Sequence, residues 1–222
     1  MNKEVIKPSV KLNLTEAQLD LLREIGNIGS GHAITALSNL LNKNVEISLT
    51  SVEIQSFWKV PDIFNNRDMP VVVIYSKIPF NSDLTIIQIF PRESIINLIN
   101  LLNPCDTKSV VEINTNNDLD DFSYSIINEI GNILSGHYAS ALADLLSIKL
   151  IPNVPKIAID SLNAILNSII AKYSQLIDYL ILINTKLIVS DLNINGTICL
   201  IPSVKILRTL FEILNIKYDM NL

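Results

Sequence analysis

Apolar residues recur at helical spacing in five stretches of this chain, residues 15–42, 93–103, 120–147, 157–177 and 203–216. In the fourth, Leu162, Ile165, Leu166, Ile169 and Ile170 carry the i, i+3, i+4, i+7, i+8 pattern of an amphipathic helix. Its opening residues, Ile157–Ile159, read equally well as the end of a strand. Between the helices lie runs of β-branched residues, Val71–Tyr75 and Leu84–Phe90 in one half, Tyr179–Ile183 and Thr197–Ile201 in the other. Such runs predict strands. They are too short to stand alone and need a shared sheet.

The pattern repeats. Glu24–Leu41 returns as Glu129–Leu146, 105 residues later, with 12 of 18 positions identical. In both halves an extended stretch, β-rich segments, a proline (Pro91, Pro202) and a helix follow. The chain is therefore a duplicated α–β unit, with residues 1–110 the first repeat, residues 111–222 the second, and the Asn- and Asp-rich Val110–Leu119 the join. The expected fold is α/β (α+β): the two units, related by a pseudo-two-fold axis, share one mostly antiparallel sheet flanked by helices.

On a helical wheel, Leu19, Leu22, Gly26, Gly29, Ala33, Leu37 and Leu40 lie opposite Glu24, forming a core stripe. Tyr124, Ile127, Gly131, Leu134, Tyr138, Leu142 and Leu145 do the same opposite Glu129. Gly26 and Gly131 cost a helix about 1 kcal/mol each relative to alanine, which predicts close approach of another backbone there. The outward faces carry Asp20, Glu24 and Asn27 in one repeat and Ser125, Glu129 and Asn132 in the other, with Gly31 and Gly136 leaving open space beside them. A Glu and an Asn three residues apart are commonplace on a solvated helix. Two copies at the same wheel positions are not, because asparagine is a mediocre helix former that propensity does not retain.

Composition narrows the function. At 49% apolar and 18% charged residues over 222 positions, the chain can bury a substantial core and is not disordered. Polar residues interrupt each apolar run well short of a membrane span, and the first residues carry Glu4 and Lys7 without an apolar stretch, so a cytoplasmic protein without membrane insertion is expected. The net charge is −5 and the bases are scattered, which disfavours nucleic acid as a partner. Cys105 and Cys199 are too few for a disulfide framework or a zinc site. His32 and His137 also repeat, but Glu24 and His32 are eight residues, roughly 12 Å, apart on their helix and no third ligand follows. No metal site is expected; packed histidines on the helix flank are.

At these residues the sequence resembles the CheC family of chemotaxis phosphatases, which includes CheX and FliY. The family motif is Asp or Ser, three residues, Glu, two residues, Asn, then 22 residues and Pro. Ser125, Glu129, Asn132 and Pro155 match every element; Asp20, Glu24 and Asn27 match in the first repeat, where Thr50 replaces the proline. Two copies resemble the two-site CheC pattern. The resemblance implies dephosphorylation of the aspartyl-phosphate of a CheY-type response regulator, with Mg²⁺ carried by that partner and no cofactor of the chain's own. It implies that Asn27 and Asn132 orient the attacking water and that Glu24 and Glu129 grip the regulator's lysine, with Asp20, Ser125 and Pro155 in support. It also implies CheD, a deamidase, as a further partner. A binding module that sequesters the phosphorylated regulator or regulates CheD would use the same face. Leu21, Ile28, Ile126 and Ile133 flank the two glutamates on the wheel and are expected to form an apolar docking rim.

Overall fold

The computed structural model describes residues 15–56, 59–60, 66–79, 84–102, 112–173, 179–190, 192–213 and 215. Trp58, Cys105 and the start of the join at Val110 lie outside them.

The first motif helix, α1 (Glu16–Leu41), starts at a capping box. The Thr15 hydroxyl accepts from the Gln18 amide at 3.4 Å, and Gln18 Oε1 accepts from the Thr15 amide at 2.8 Å. The helix ends at Asn42, which is left-handed at φ 48°. The second motif helix, α3 (Asp121–Leu146), has its caps at the same offset: Asp120 accepts from the Ser123 amide at 2.7 Å, and Ser147 is left-handed at φ 53°. Hydrogen bonds from Ser123 hold the Asp120 carboxyl below its ordinary value. The repeat thus preserves helix ends while changing the residues that form them.

Six strands make one antiparallel sheet: β1 (Val45–Ser56), β2 (Pro70–Ile78), β3 (Leu84–Pro91), β4 (Lys156–Ser161), β5 (Tyr179–Val189) and β6 (Leu192–Pro202). Their order is β1-β5-β6-β3-β2-β4. The order is a palindrome of the two repeats, with the pseudo-two-fold axis between the central pair, β3 and β6. The first strand of each repeat pairs with the other repeat: β1 with β5 (Val45 opposite Val189) and β4 with β2 (Pro70 opposite Ser161). One continuous sheet was expected. The exchange of outer strands was not legible, because pairing partners leave no mark on hydrophobic period.

Three details differ from the sequence reading. Residues 156–161 are strand β4, so α4 (Leu162–Tyr173) starts at Leu162, and residues 174–177 of the expected helix lie outside the described ones; the edge of β2 recruits the β-branched start of that segment. Gly26 and Gly131 are approached by side chains rather than backbone. A Cβ on Gly26 would lie 2.8 Å from a Leu49 methyl, and one on Gly131 only 2.3 Å from Ile74 Cγ2. Finally, Tyr124 is 44% exposed and Ser123 is buried in its place, while Leu19, Leu40 and Leu145 are half-buried. The stripe is broader than one pole of the wheel because each motif helix has two neighbours, the sheet and the other helix. This is why Ile25, Ser30, Ile130 and Ser135 are also buried.

The remaining helices, α2 (Arg92–Leu102) and α5 (Val204–Ile213), follow β3 and β6 and bury Ile95, Leu98 and Ile99, and Ile206, Leu210 and Phe211. On the motif-helix face, Gln88 Nε2 donates to the Gly131 carbonyl at 2.9 Å and to Ser135 Oγ at 2.8 Å, and Ser135 donates to Ser76 Oγ at 2.8 Å. This buried polar chain fixes the register of α3 on β2 and β3. The opposite face receives α4, where the Tyr173 hydroxyl lies 3.1 Å from Thr85 Oγ1.

Two glycines in the same helix test this packing. Gly131→Ala should destabilise the protein by about 1–3 kcal/mol, the usual cost of overpacking, because Ile74 has no room to yield. Nothing lies within 4 Å of a Cβ at Gly136, so Gly136→Ala should stabilise by up to about 1 kcal/mol through helix propensity. Chemical denaturation of both variants checks the pair.

Candidate functional site

α1 and α3 lie against each other on one face of the sheet. Gly29 admits the Tyr138 ring, whose Cδ1 would be 2.7 Å from a Cβ there, and the His32 and His137 rings meet edge-on with centroids 6.0 Å apart. Residue numbers rise along one helix as they fall along the other, so the two run antiparallel. Equivalent histidines in contact place the pseudo-two-fold axis between them.

Glu24, Asn27, Glu129 and Asn132 are all exposed, and none of their side chains bonds to a described residue. They lie five to eight residues N-terminal of the histidines, on helices of opposite direction. The two Glu/Asn patches are therefore roughly 15–25 Å apart along the seam, each open to its own partner.

The supporting residues are tied to their own helices. Asp20 accepts from Arg23 at 2.7 Å, and Arg23 also lies 3.6 Å from Glu16. Ser125 donates to the Asp121 carbonyl at 2.7 Å. Pro155 is buried, and its carbonyl accepts from Asn128 Nδ2 at 3.3 Å, joining the segment before β4 to the helix beside Glu129. Thr50, its counterpart, sits at a bulge where the β1–β5 register slips between Leu49 and Ser51; its hydroxyl donates to the Asn184 carbonyl at 2.9 Å. Proline lacks the N–H a ladder needs, and a bulge leaves a residue unpaired. Both repeats thus interrupt the ladder at the same place by different means.

Leu21, Ile28, Ile126 and Ile133 are half-buried and pack on the core cluster, less exposed than a free rim. Two neighbours of the sites escaped the sequence reading, though comparing the repeats position by position exposes them. Phe122, 41% exposed, lies on the Glu129 face two turns upstream, where the first repeat has Ala17. Arg23 stands beside Glu24 where the second repeat has Asn128.

Comparison with known proteins separates family from fold. The chain is 33% identical over 185 residues to "CheY-P phosphatase CheC" of Bacillus subtilis (strain 168), covering 81% of this chain and 84% of that protein. The model of the CheC-like family matches residues 18–48 and 122–167, the motif helix and following segment of each repeat. The chain belongs to the CheC-like family. "Flagellar motor switch phosphatase FliY" of the same organism is 27% identical over 145 residues, 65% of this chain but only 36% of that protein. Among solved structures, Thermotoga maritima FliY matches with TM-score 0.66 at 20% identity, over 91% of this chain and 98% of that one. The FliM middle domain of H. pylori matches with TM-score 0.59 at 13% identity, over 92% and 100%. The family's α+β fold is shared even where sequence similarity has faded.

The histidines carry a pH dependence. Burial, and secondarily the neighbouring His32, lower the His137 pKa from 6.5. The unfolded chain therefore binds this proton more readily than the folded one. The resulting stability is complete above the ordinary imidazole range and is lost as pH falls through it toward the lowered value. NMR titration should find His137 below 6.5 and find its value raised by His32→Ala, while thermal stability declines as pH falls below about 7.

Proposed function

We propose that this chain removes the phosphoryl group from the aspartyl-phosphate of a CheY-type response regulator, using two equivalent sites. The observation that carries the reading is the matched pair of Glu/Asn faces. Four side chains in identical positions are exposed and have no partner among the described residues, in a chain one-third identical to a CheY-P phosphatase. Retaining unpartnered polar groups twice is explained by a partner that supplies their contacts.

The chemistry asks little of this protein. Water attacks phosphorus, the bond from phosphorus to the aspartyl oxygen breaks, and the regulator's carboxylate leaves while inorganic phosphate takes up the water's proton. An acyl phosphate is already reactive, and the regulator brings its own Mg²⁺ and lysine. Placing the water in line is then the main contribution. The Asn27 or Asn132 amide both donates and accepts, and orients water without adding negative charge beside the phosphoryl group. The Glu24 or Glu129 carboxylate pairs with the regulator's lysine and fixes the docked orientation. The metal in this scheme is the one the regulator carries.

The second site is the stronger. It keeps the whole motif, the Asn128–Pro155 hydrogen bond braces it, and Phe122 adds apolar surface on its face. At the first site, Arg23 places a cation beside the carboxylate that is to hold a lysine, and draws Asp20 to itself.

Decay of the phosphorylated regulator tests the proposal. The purified protein should accelerate it, Asn132→Ala should lose more acceleration than Asn27→Ala, and the double variant should lose nearly all. Tight binding without acceleration would make the protein a sequestering module instead. Ile133→Ser, at the docking rim, should weaken binding of the phosphorylated regulator by about 1–2 kcal/mol with folding retained, as titration and circular dichroism would report. Unchanged affinity in folded Ile133→Ser would assign the residue to the core alone.

A further inference from the structure

The repeated Ser-Gly-His sequence is absorbed by neither Glu/Asn site. Within one helix His32 has no companion ligand, but the fold supplies one from the other repeat. His32 and His137 meet across the α1–α3 seam on the pseudo-two-fold axis, with ring centroids 6.0 Å apart. His32 is exposed and His137 is partly so, which leaves the pair within reach of solvent. The preceding residue in each repeat is a glycine, Gly31 or Gly136, with nothing within 4 Å of where a Cβ would stand.

We propose that His32 and His137 together bind one divalent transition ion of the zinc or copper class, which bridges the two repeats at the seam. With metal–nitrogen bonds near 2.0–2.1 Å, two imidazoles on one ion hold their centroids about 5 Å apart at a tetrahedral angle and about 6.5 Å apart when opposed. The observed 6.0 Å lies inside that window. Imidazole suits zinc, copper and nickel, whereas magnesium and calcium select oxygen ligands, so the site is chemically distinct from the partner's Mg²⁺. No third His, Cys, Asp or Glu joins the pair among the described residues; water completes the coordination from the solvent side of the exposed His32. The ion replaces a contact between two like groups with a cross-link, and fixes the relative position of the two Glu/Asn faces.

Calorimetric titration of the untagged full chain with Zn²⁺ and with Cu²⁺ tests this, in a Cys105→Ser background that removes a competing thiol. The expected result is one ion per chain, with Cu²⁺ tighter than Zn²⁺, and affinity weakened at least tenfold by His32→Ala and equally by His137→Ala. His137→Gln, closer in size, should behave like His137→Ala if ligation rather than packing is lost. Zn²⁺ should raise the unfolding midpoint of the parent and of neither variant. Excess Mg²⁺ should not compete. Absence of binding, another stoichiometry, or less than a tenfold loss in either histidine variant would overturn the proposal. None of these readouts involves phosphatase activity, so the proposal stands or falls separately from the function above.

Discussion

Each repeat of this chain lacks an outer strand for its own half of the sheet and takes one from the other repeat. β1 runs antiparallel to β5 along most of its length, and β4 closes on β2. With β3 and β6 joined at the centre, neither half completes its hydrogen bonding without the other. That exchange carries α1 and α3 onto one face as neighbours, makes Gly29 the socket for Tyr138, and brings the two histidines into contact on the axis. Because the helices are antiparallel about that point, their Glu/Asn faces lie toward opposite ends of the seam and share no docking space. The separation of the two sites is thus set by strand pairing many residues away.

Much of this was legible in the sequence because a duplication reads itself: agreement between Glu24–Leu41 and Glu129–Leu146 singled out the motif helices, and their period oriented Glu24, Asn27, Glu129 and Asn132 to solvent, where the structure has them. Family and fold followed from the same residues. What was hidden depended on contacts between the repeats. A wheel treats a helix as having one inward pole, whereas α1 and α3 each bury a second flank against the other, so Ser30 and Ser135 escaped notice and Tyr124 was placed inside. Likewise, a wheel drawn for one helix could not pair His32 with His137.

Differences between the repeats are as informative as the identities. Thr50 and Pro155 interrupt the ladder at equivalent points, one by a bulge and one by lacking an amide hydrogen. Arg23 against Asn128, and Ala17 against Phe122, alter the surroundings of the glutamate while leaving glutamate and asparagine in place. The neighbourhood of the first Glu/Asn face is more charged and that of the second more apolar.

The exchange of outer strands also sets an order of events on the ribosome. β1 is synthesised first, yet its partner β5 lies some 130 residues downstream in sequence. At ordinary elongation rates β1 waits roughly ten seconds, its edge unpaired and its apolar face uncovered. Pairings this distant in sequence are slow to form even in the complete chain. The charged and polar residues that alternate along β1, Glu46, Ser48, Thr50 and Glu53, stand on a strand that must remain soluble through that interval.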